Sequence, residues 1–366
     1  MKIQIDRENE NHQIYLSMNE DKLALPPLWI RERSRCASQV DLKTKQRLFN
    51  PHLLPDDLKI TQASANESSI HVTFSDGHSE EFDHEFLTAE ALGFDADLPV
   101  PQAWVAEDKL PNDYQWPTLL SDEAHFADSV AQFLRYGYII LRDTPTADDS
   151  ILNIASRYGY VRDTNFGRYF EVFSKPEAND LAYTPHAIGP HTDNPYRDPV
   201  PGIQLLHCLK NETSGGYSTL VDSLSVAAEL KRIDPEGYQL LTKIAVRFRF
   251  FDSDTEHVAF HPLIELDPLG NIAGIHYSPR LDDLPLLPQA QLQQFQRARA
   301  TLGTLLEDPR FEKKFKLEDG ELMMFDNNRV LHGRTEFDPS EGVRHLQGCY
   351  IDRDGPKSLH RIANKN

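Results

Sequence analysis

Cysteine is scarce in this chain of 366 residues, which has only Cys36, Cys208 and Cys349. Three widely spaced thiols do not make a disulfide framework and point to a reducing compartment. Positive charge is also in deficit: 38 Lys and Arg face 57 Asp and Glu, for a formal net charge of −19. That balance argues against duplex nucleic acid or an anionic membrane as partner, because both would repel it. No apolar run approaches the roughly 18 residues of a membrane span, and the opening MKIQIDRENENHQ lacks a signal-like apolar stretch. A cytoplasmic protein is the expectation. Hydrophobic residues at 39% and aromatics at 10% suffice to fill a core, which excludes wholesale disorder.

Residues 1–95 read as a small β-rich domain. Ile70, Val72 and Phe74 alternate with polar residues, and Asp76-Gly77 supplies a hairpin turn. Residues 96–118 are proline-rich and aperiodic and read as a linker, with Trp104 and Trp116 placed to pack it. Residues 119–366 form the larger domain. Ser121 reads as the N-cap of a helix that stops at Gly137, and a second helix is expected over about 148–158. Leu292, Phe295, Leu302 and Leu306 mark one face of a long helix. Many strands with a few flanking helices predict a mostly β fold, a sandwich or barrel decorated by helices.

The chemistry concentrates in GPHTDNPYRDPVPG. His191 and Asp193 are two residues apart, so in extended chain their side chains point the same way and can take adjacent positions on one divalent metal. A distant His completes a facial triad, which leaves positions open for a co-substrate and O₂ at a non-haem Fe(II) centre. His332, in FDNNRVLHGR, follows an apolar strand and is the choice for that third ligand. His207 in LLHC reads as a core histidine, His276 could line a pocket, and His345 faces away from its neighbour Arg344. Arg344 lies twelve residues after His332, and its guanidinium suits the far carboxylate of a dicarboxylic co-substrate.

The stretches HTDNPYRDPVPGIQLLHC, GGYSTLVD, FDNNRVLHGR and RHLQGCYID resemble the γ-butyrobetaine hydroxylase branch of the taurine-dioxygenase-like Fe(II)/2-oxoglutarate oxygenases. The likeness runs from about Ser121 to the C-terminus, and LPPLWIRERSRC is similar to that branch's small N-terminal domain. It implies a double-stranded β-helix, or jelly roll, with Fe(II) on His191, Asp193 and His332. It implies 2-oxoglutarate as co-substrate, with its C5 carboxylate on Arg344 and near a hydroxyl of Ser218 or, equally, Thr219. A homodimer is in keeping with the branch. The family's cysteine cluster is broken: Ser34 and Gln39 stand where Cys is expected, leaving Cys36 and His78. Two ligands do not close a tetrahedral site, so no structural zinc is expected.

The same resemblance implies an aromatic cage for a trimethylammonium group at Phe166, Phe170, Tyr183 and Tyr350, each ring attracting the cation by roughly 0.5–2 kcal/mol. Without the resemblance, FGRYFEVF reads as an ordinary half-buried strand. Asp180 could add a charge for a less substituted amine. Asn194, Tyr196, Arg197 and Arg280 are candidates for the substrate's acid end, though surface solvation explains the two arginines equally well. The polar run after Asp193 tilts the expectation slightly from the carboxylate of γ-butyrobetaine to an aminoalkylphosphonate, such as 2-(trimethylamino)ethylphosphonate or 2-aminoethylphosphonate. The alternatives are carnitine formation from γ-butyrobetaine and a relative that binds metal without catalysis.

Overall fold

A computed structural model describes residues 2–6, 13–18, 21–93, 95–173 and 184–365. The chain divides into two compact units, Met1–Asp97 and Leu98–Asn366.

In the first unit the 70–74 alternation builds strand Ser69–Phe74, paired antiparallel with Ile60–Ala65 and Ser79–Asp83. Ile70, Val72, Phe74 and Phe82 share a core with Ile14 and Leu16 from a second sheet, Lys2–Asp6, Gln13–Met18 and Asp21–Leu25. Two helices appear that the sequence did not announce: Pro27–Glu32, opened by its proline, and His84–Leu92, capped by the Asp83 carboxylate on Phe86 N–H.

The broken cysteine cluster has become a hydrogen-bonded one. One guanidinium nitrogen of Arg31 donates to Ser34 Oγ and Gln39 Oε1, each at 3.1 Å, and Arg31 Nε donates to Asp76 at 2.8 Å. Glu80, which sequence reasoning missed, joins Cys36 and His78 so that their ligand atoms lie within 4.8 Å of one another. Its Oε1 accepts from the N–H groups of Arg35 and Cys36, and its Oε2 lies 2.9 Å from His78 Nε2.

The second unit is a double-stranded β-helix. Among the described residues, its larger sheet has six strands in the order Asp113–Gln115, Tyr138–Arg142, Glu321–Asp326, Ile203–Asn211, Arg344–Ile351 and Phe170–Val172. The smaller has four: Ile188–His191, Val330–Arg334, Ser218–Asp222 and Glu312–Phe315. Strand alternation sorts the side chains into layers. Tyr138, Ile140, Leu206, Met323 and Phe325 meet Leu220 and Val330 between the sheets. Ile139, Leu141, Leu205 and Met324 face the other way, onto helices Glu123–Tyr136 and Ser150–Tyr158. The outer face of the small sheet, at Val221 and Leu331, is covered by helices Ser223–Ile233, Pro235–Lys243 and Gln289–Leu306.

Ser121 is not the cap that its position suggests. It ends a short helix, Trp116–Ser121, where its hydroxyl turns back to the carbonyls of Pro117 and Thr118. Asp122 caps instead, accepting from Ala124 and His125 N–H. The proline-rich stretch is built into the second unit: Trp104 is buried, its backbone N–H donates to the buried carboxylate of Asp222, which Arg329 pairs, and its indole N–H donates to Tyr136 O. Among the described residues, no helix is long and apolar enough to cross a membrane.

Candidate active site

The site begins with a strand register. Ile188–His191 and Val330–Arg334 run antiparallel, with His191 directly opposite His332 and the imidazole centroids 4.3 Å apart. Asp193 follows in a turn and aims its carboxylate back at both rings, Oδ1 lying 3.1 Å from His191 Nε2 and 4.0 Å from His332 Nε2. One ligand atom from each of the three gathers within 4.8 Å of the others. His191 Nδ1 lies 3.0 Å from Gly189 O; as a donor there it leaves Nε2 as a lone pair facing the cluster.

Electrostatics prepare these groups for a cation. Burial pushes His332 down to about 3, so it is neutral at physiological pH. Asp193 loses stability by burial, but the two imidazoles and the Tyr350 hydroxyl outweigh this and hold its carboxyl below the usual range. A carboxylate and two imidazoles make the donor set that a divalent metal takes.

Asn327, adjacent to the strand that carries His332 and missed by sequence reasoning, fixes the backbone of Asp193. Its Oδ1 accepts from Asp193 N–H at 2.8 Å and its Nδ2 donates to Asp193 O at 3.0 Å. Thr192 is pinned likewise, its hydroxyl to Ile275 O and its N–H to Tyr277 O.

Two unlike cavities meet at His191 and Asp193. The first, about 80 Å³, is lined by Ser218, Gln204, His332, Arg334 and Arg344, with apolar Leu206, Met323 and Leu346. Arg344 opens the final strand and reaches in because Gly216 has no side chain: a Cβ there would sit 2.6 Å from Arg344 Nε. Burial alone lowers Arg344 to about 10, and its Nε has no partner. Arg334, another omission, is lowered to about 10 by burial and by Arg344 beside it, while its Nη2 donates to the carbonyls of Thr184 and His186. Such a basic, enclosed chamber asks for an anion. Of the two hydroxyl candidates, Ser218 lines this cavity and Thr219 is not among its lining residues.

The second cavity, about 190 Å³, is aromatic. Phe166, Phe170, Tyr196, Tyr350, Asn194 and Arg280 all line it, as expected, joined by Phe250, Ser278 and Leu281, which carry no sequence motif. Tyr196 stacks on Phe250 at 4.9 Å, and Phe170 meets Tyr350 at 5.4 Å. Tyr183 and Asp180 lie outside the described residues. Arg197 is not among the lining residues: its guanidinium sits over Phe166 and Tyr196 and donates to Asn165. The remaining histidines go elsewhere, His207 onto Thr144, His276 onto Glu265 and His345 onto Glu171.

A sequence model of the taurine catabolism dioxygenase TauD, TfdA family matches residues 96–350, and one described as gamma-butyrobetaine hydroxylase-like, N-terminal, matches residues 5–88. This chain belongs to the TauD, TfdA family. It is an Fe(II)- and 2-oxoglutarate-dependent dioxygenase. Gamma-butyrobetaine dioxygenase of Pseudomonas sp. (strain AK-1) is 32% identical over 334 residues, covering 89% of this chain and 87% of that protein. The Homo sapiens gamma-butyrobetaine dioxygenase is 27% identical, covering 95% of this chain and 93% of its own. The mitochondrial trimethyllysine dioxygenase of Rattus norvegicus is 29% identical, covering 92% and 82%. Among solved structures, an asparagine oxygenase in complex with Fe(II), 2S,3S-3-hydroxyasparagine and succinate aligns with a TM-score of 0.51 at 18% identity. That alignment covers 62% of this chain and 79% of the other, a likeness of fold.

Proposed function

We propose that this dioxygenase hydroxylates an unactivated carbon of a small zwitterion with a trimethylammonium group at one end and an acid at the other. The observation that carries the reading is the meeting of a basic chamber and an aromatic chamber at His191 and Asp193. His191, Asp193 and His332 would hold the iron, since their ligand atoms gather within 4.8 Å of one another where the two chambers meet. When bound, the Fe(II) supplies O₂ activation coupled to the oxidative decarboxylation of 2-oxoglutarate to succinate and CO₂.

The chain's own residues do the positioning. Arg344, with the Ser218 hydroxyl, takes the far carboxylate of 2-oxoglutarate and so orients its other end toward the triad. The rings of Phe166, Phe170, Phe250 and Tyr350 seat the quaternary cation, which no hydrogen-bond acceptor can hold, by cation–π attraction of about 0.5–2 kcal/mol per ring. Arg280 takes the acid. The phenol of Tyr196 has one O–H, and it is spent on Asn194 at 2.6 Å. Asn194 and Arg280 also line this cavity, so the slight lean to an aminoalkylphosphonate such as 2-(trimethylamino)ethylphosphonate stands, with the carboxylate of γ-butyrobetaine as the alternative. The relatives named for γ-butyrobetaine and trimethyllysine support a trimethylammonium end. Three free cysteines, two of them buried, suit a cytoplasmic enzyme.

The test is succinate release by the purified chain with Fe(II) and 2-oxoglutarate, screened over γ-butyrobetaine, trimethyllysine, 2-aminoethylphosphonate and its N-trimethyl form. We expect a trimethylammonium substrate, the N-trimethyl phosphonate ahead of γ-butyrobetaine, to give the largest stimulation and Asp193→Ala to abolish it. Full turnover by Asp193→Ala, or stimulation by the primary amine alone, would overturn the reading.

A further inference from the structure

Asp193 makes hydrogen bonds that substrate binding does not require. Tyr350 Oη donates to Asp193 Oδ2 at 2.8 Å. Asn194 Nδ2 donates to Tyr350 Oη at 3.1 Å, and Tyr196 Oη donates to Asn194 Oδ1 at 2.6 Å. The three bonds share one direction. Each hydroxyl proton is used once, and the chain ends on the only anion in the series. Tyr196 and Tyr350 are each 3% exposed. Asn194 holds its place at φ +50°, a left-handed conformation that asparagine tolerates better than most residues.

The geometry points to a positioning relay, Tyr196 to Asn194 to Tyr350, that holds Asp193 as a one-oxygen metal ligand. This inference rests on the assignment of the triad as the iron site. A carboxylate left to itself can grip a metal with both oxygens and so occupy one of the positions that 2-oxoglutarate and O₂ need. Here Oδ2 is taken by Tyr350, and only Oδ1 faces His191 and His332. The backbone clamp from Asn327 fixes the main chain of Asp193, and the relay fixes its side chain. Tyr196 and Tyr350 therefore serve the metal as well as the cavity wall.

The experiment uses the full chain stripped of metal, with Tyr350→Phe, Tyr196→Phe and the double variant, each of which keeps the aromatic ring. Mn(II) affinity is measured by calorimetry, the visible charge-transfer band of the anaerobic Fe(II)–2-oxoglutarate complex by absorption, and the melting temperature without metal as a folding control. Loss of such supporting bonds typically weakens metal binding about 10–100-fold. We expect that range for Tyr350→Phe with a shifted band, a few-fold loss for Tyr196→Phe, and no further loss in the double variant, because the relay is already cut. Mn(II) affinities within twofold of wild type and an unmoved band, with only the substrate KM raised, would overturn the relay and leave the phenols as substrate contacts. Failure of the wild-type chain to bind either metal would overturn the iron-site assignment itself, a distinguishable result.

Discussion

His191 and His332 face each other across one antiparallel register position, 141 residues apart in sequence by their numbering, with their rings 4.3 Å apart. That pairing depends on how closely the two strands approach.

Gly333 sets the approach. A Cβ at this position would lie 2.6 Å from Ile188 O and 2.7 Å from Thr219 Oγ1. Gly333→Ala must push strand Ile188–His191 away from Val330–Arg334, at an overpacking cost of about 1–3 kcal/mol. The expected result is a lower melting temperature and weaker Mn(II) binding in the same variant, read by calorimetry. Unchanged metal affinity would show that the triad tolerates a wider strand separation.

Arg344 trades stability for function. Burial disfavours its charge, so Arg344→Met should leave the ligand-free protein at least as stable as wild type in urea denaturation. The same change removes a charge-assisted hydrogen bond to 2-oxoglutarate worth about 1.5–3 kcal/mol, or roughly a 10–150-fold rise in its KM. A variant that lost stability without a change in KM would assign Arg344 to the scaffold.

His207 gives the ligand-free fold a pH dependence. The Thr144 hydroxyl donates to Gly320 O at 2.7 Å, so it must accept from His207 Nε2, leaving Nδ1 bare in the core. Desolvation lowers this imidazole to about 4 from 6.5. The unfolded chain therefore takes the proton first as pH falls: the stabilisation is complete above pH 6.5 and is lost progressively toward pH 4. Between pH 7 and 5 this group alone should cost about 2 kcal/mol of unfolding free energy. His207→Gln should remove that part of the slope in denaturation curves at the two pH values.

Arg31 holds the N-terminal unit at the place of the family's broken cysteine cluster. Its guanidinium is buried against Asp76, Ser34 and Gln39. Arg31→Met leaves those acceptors without a donor and should destabilise this unit by about 2–4 kcal/mol. Chelator treatment should leave its melting unchanged; a drop on chelation would show that Cys36, His78 and Glu80 hold an ion.

Much of this was legible in the sequence. HxD, His332 and Arg344 were readable because metal and carboxylate chemistry restrict residue type and spacing. The alternation at Ile70, Val72 and Phe74 was readable because a strand buries every second residue. Phe250, Ser278, Asn327, Arg334 and Glu80 were not readable. Each has partners dozens of residues or more away, and nothing in its local sequence distinguishes it from an ordinary strand or loop residue. Asn194 and Tyr196 show the difference most clearly. The sequence placed two polar groups beside the metal carboxylate and suggested a substrate anion for them. Only the tertiary structure brought Tyr350, on the final strand, within hydrogen-bond reach. With it there, Tyr196 donates to Asn194, Asn194 to Tyr350, and Tyr350 to Asp193. Sequence determined which chemistry this chain can support; strand register and burial decided which atoms face the metal and which face one another.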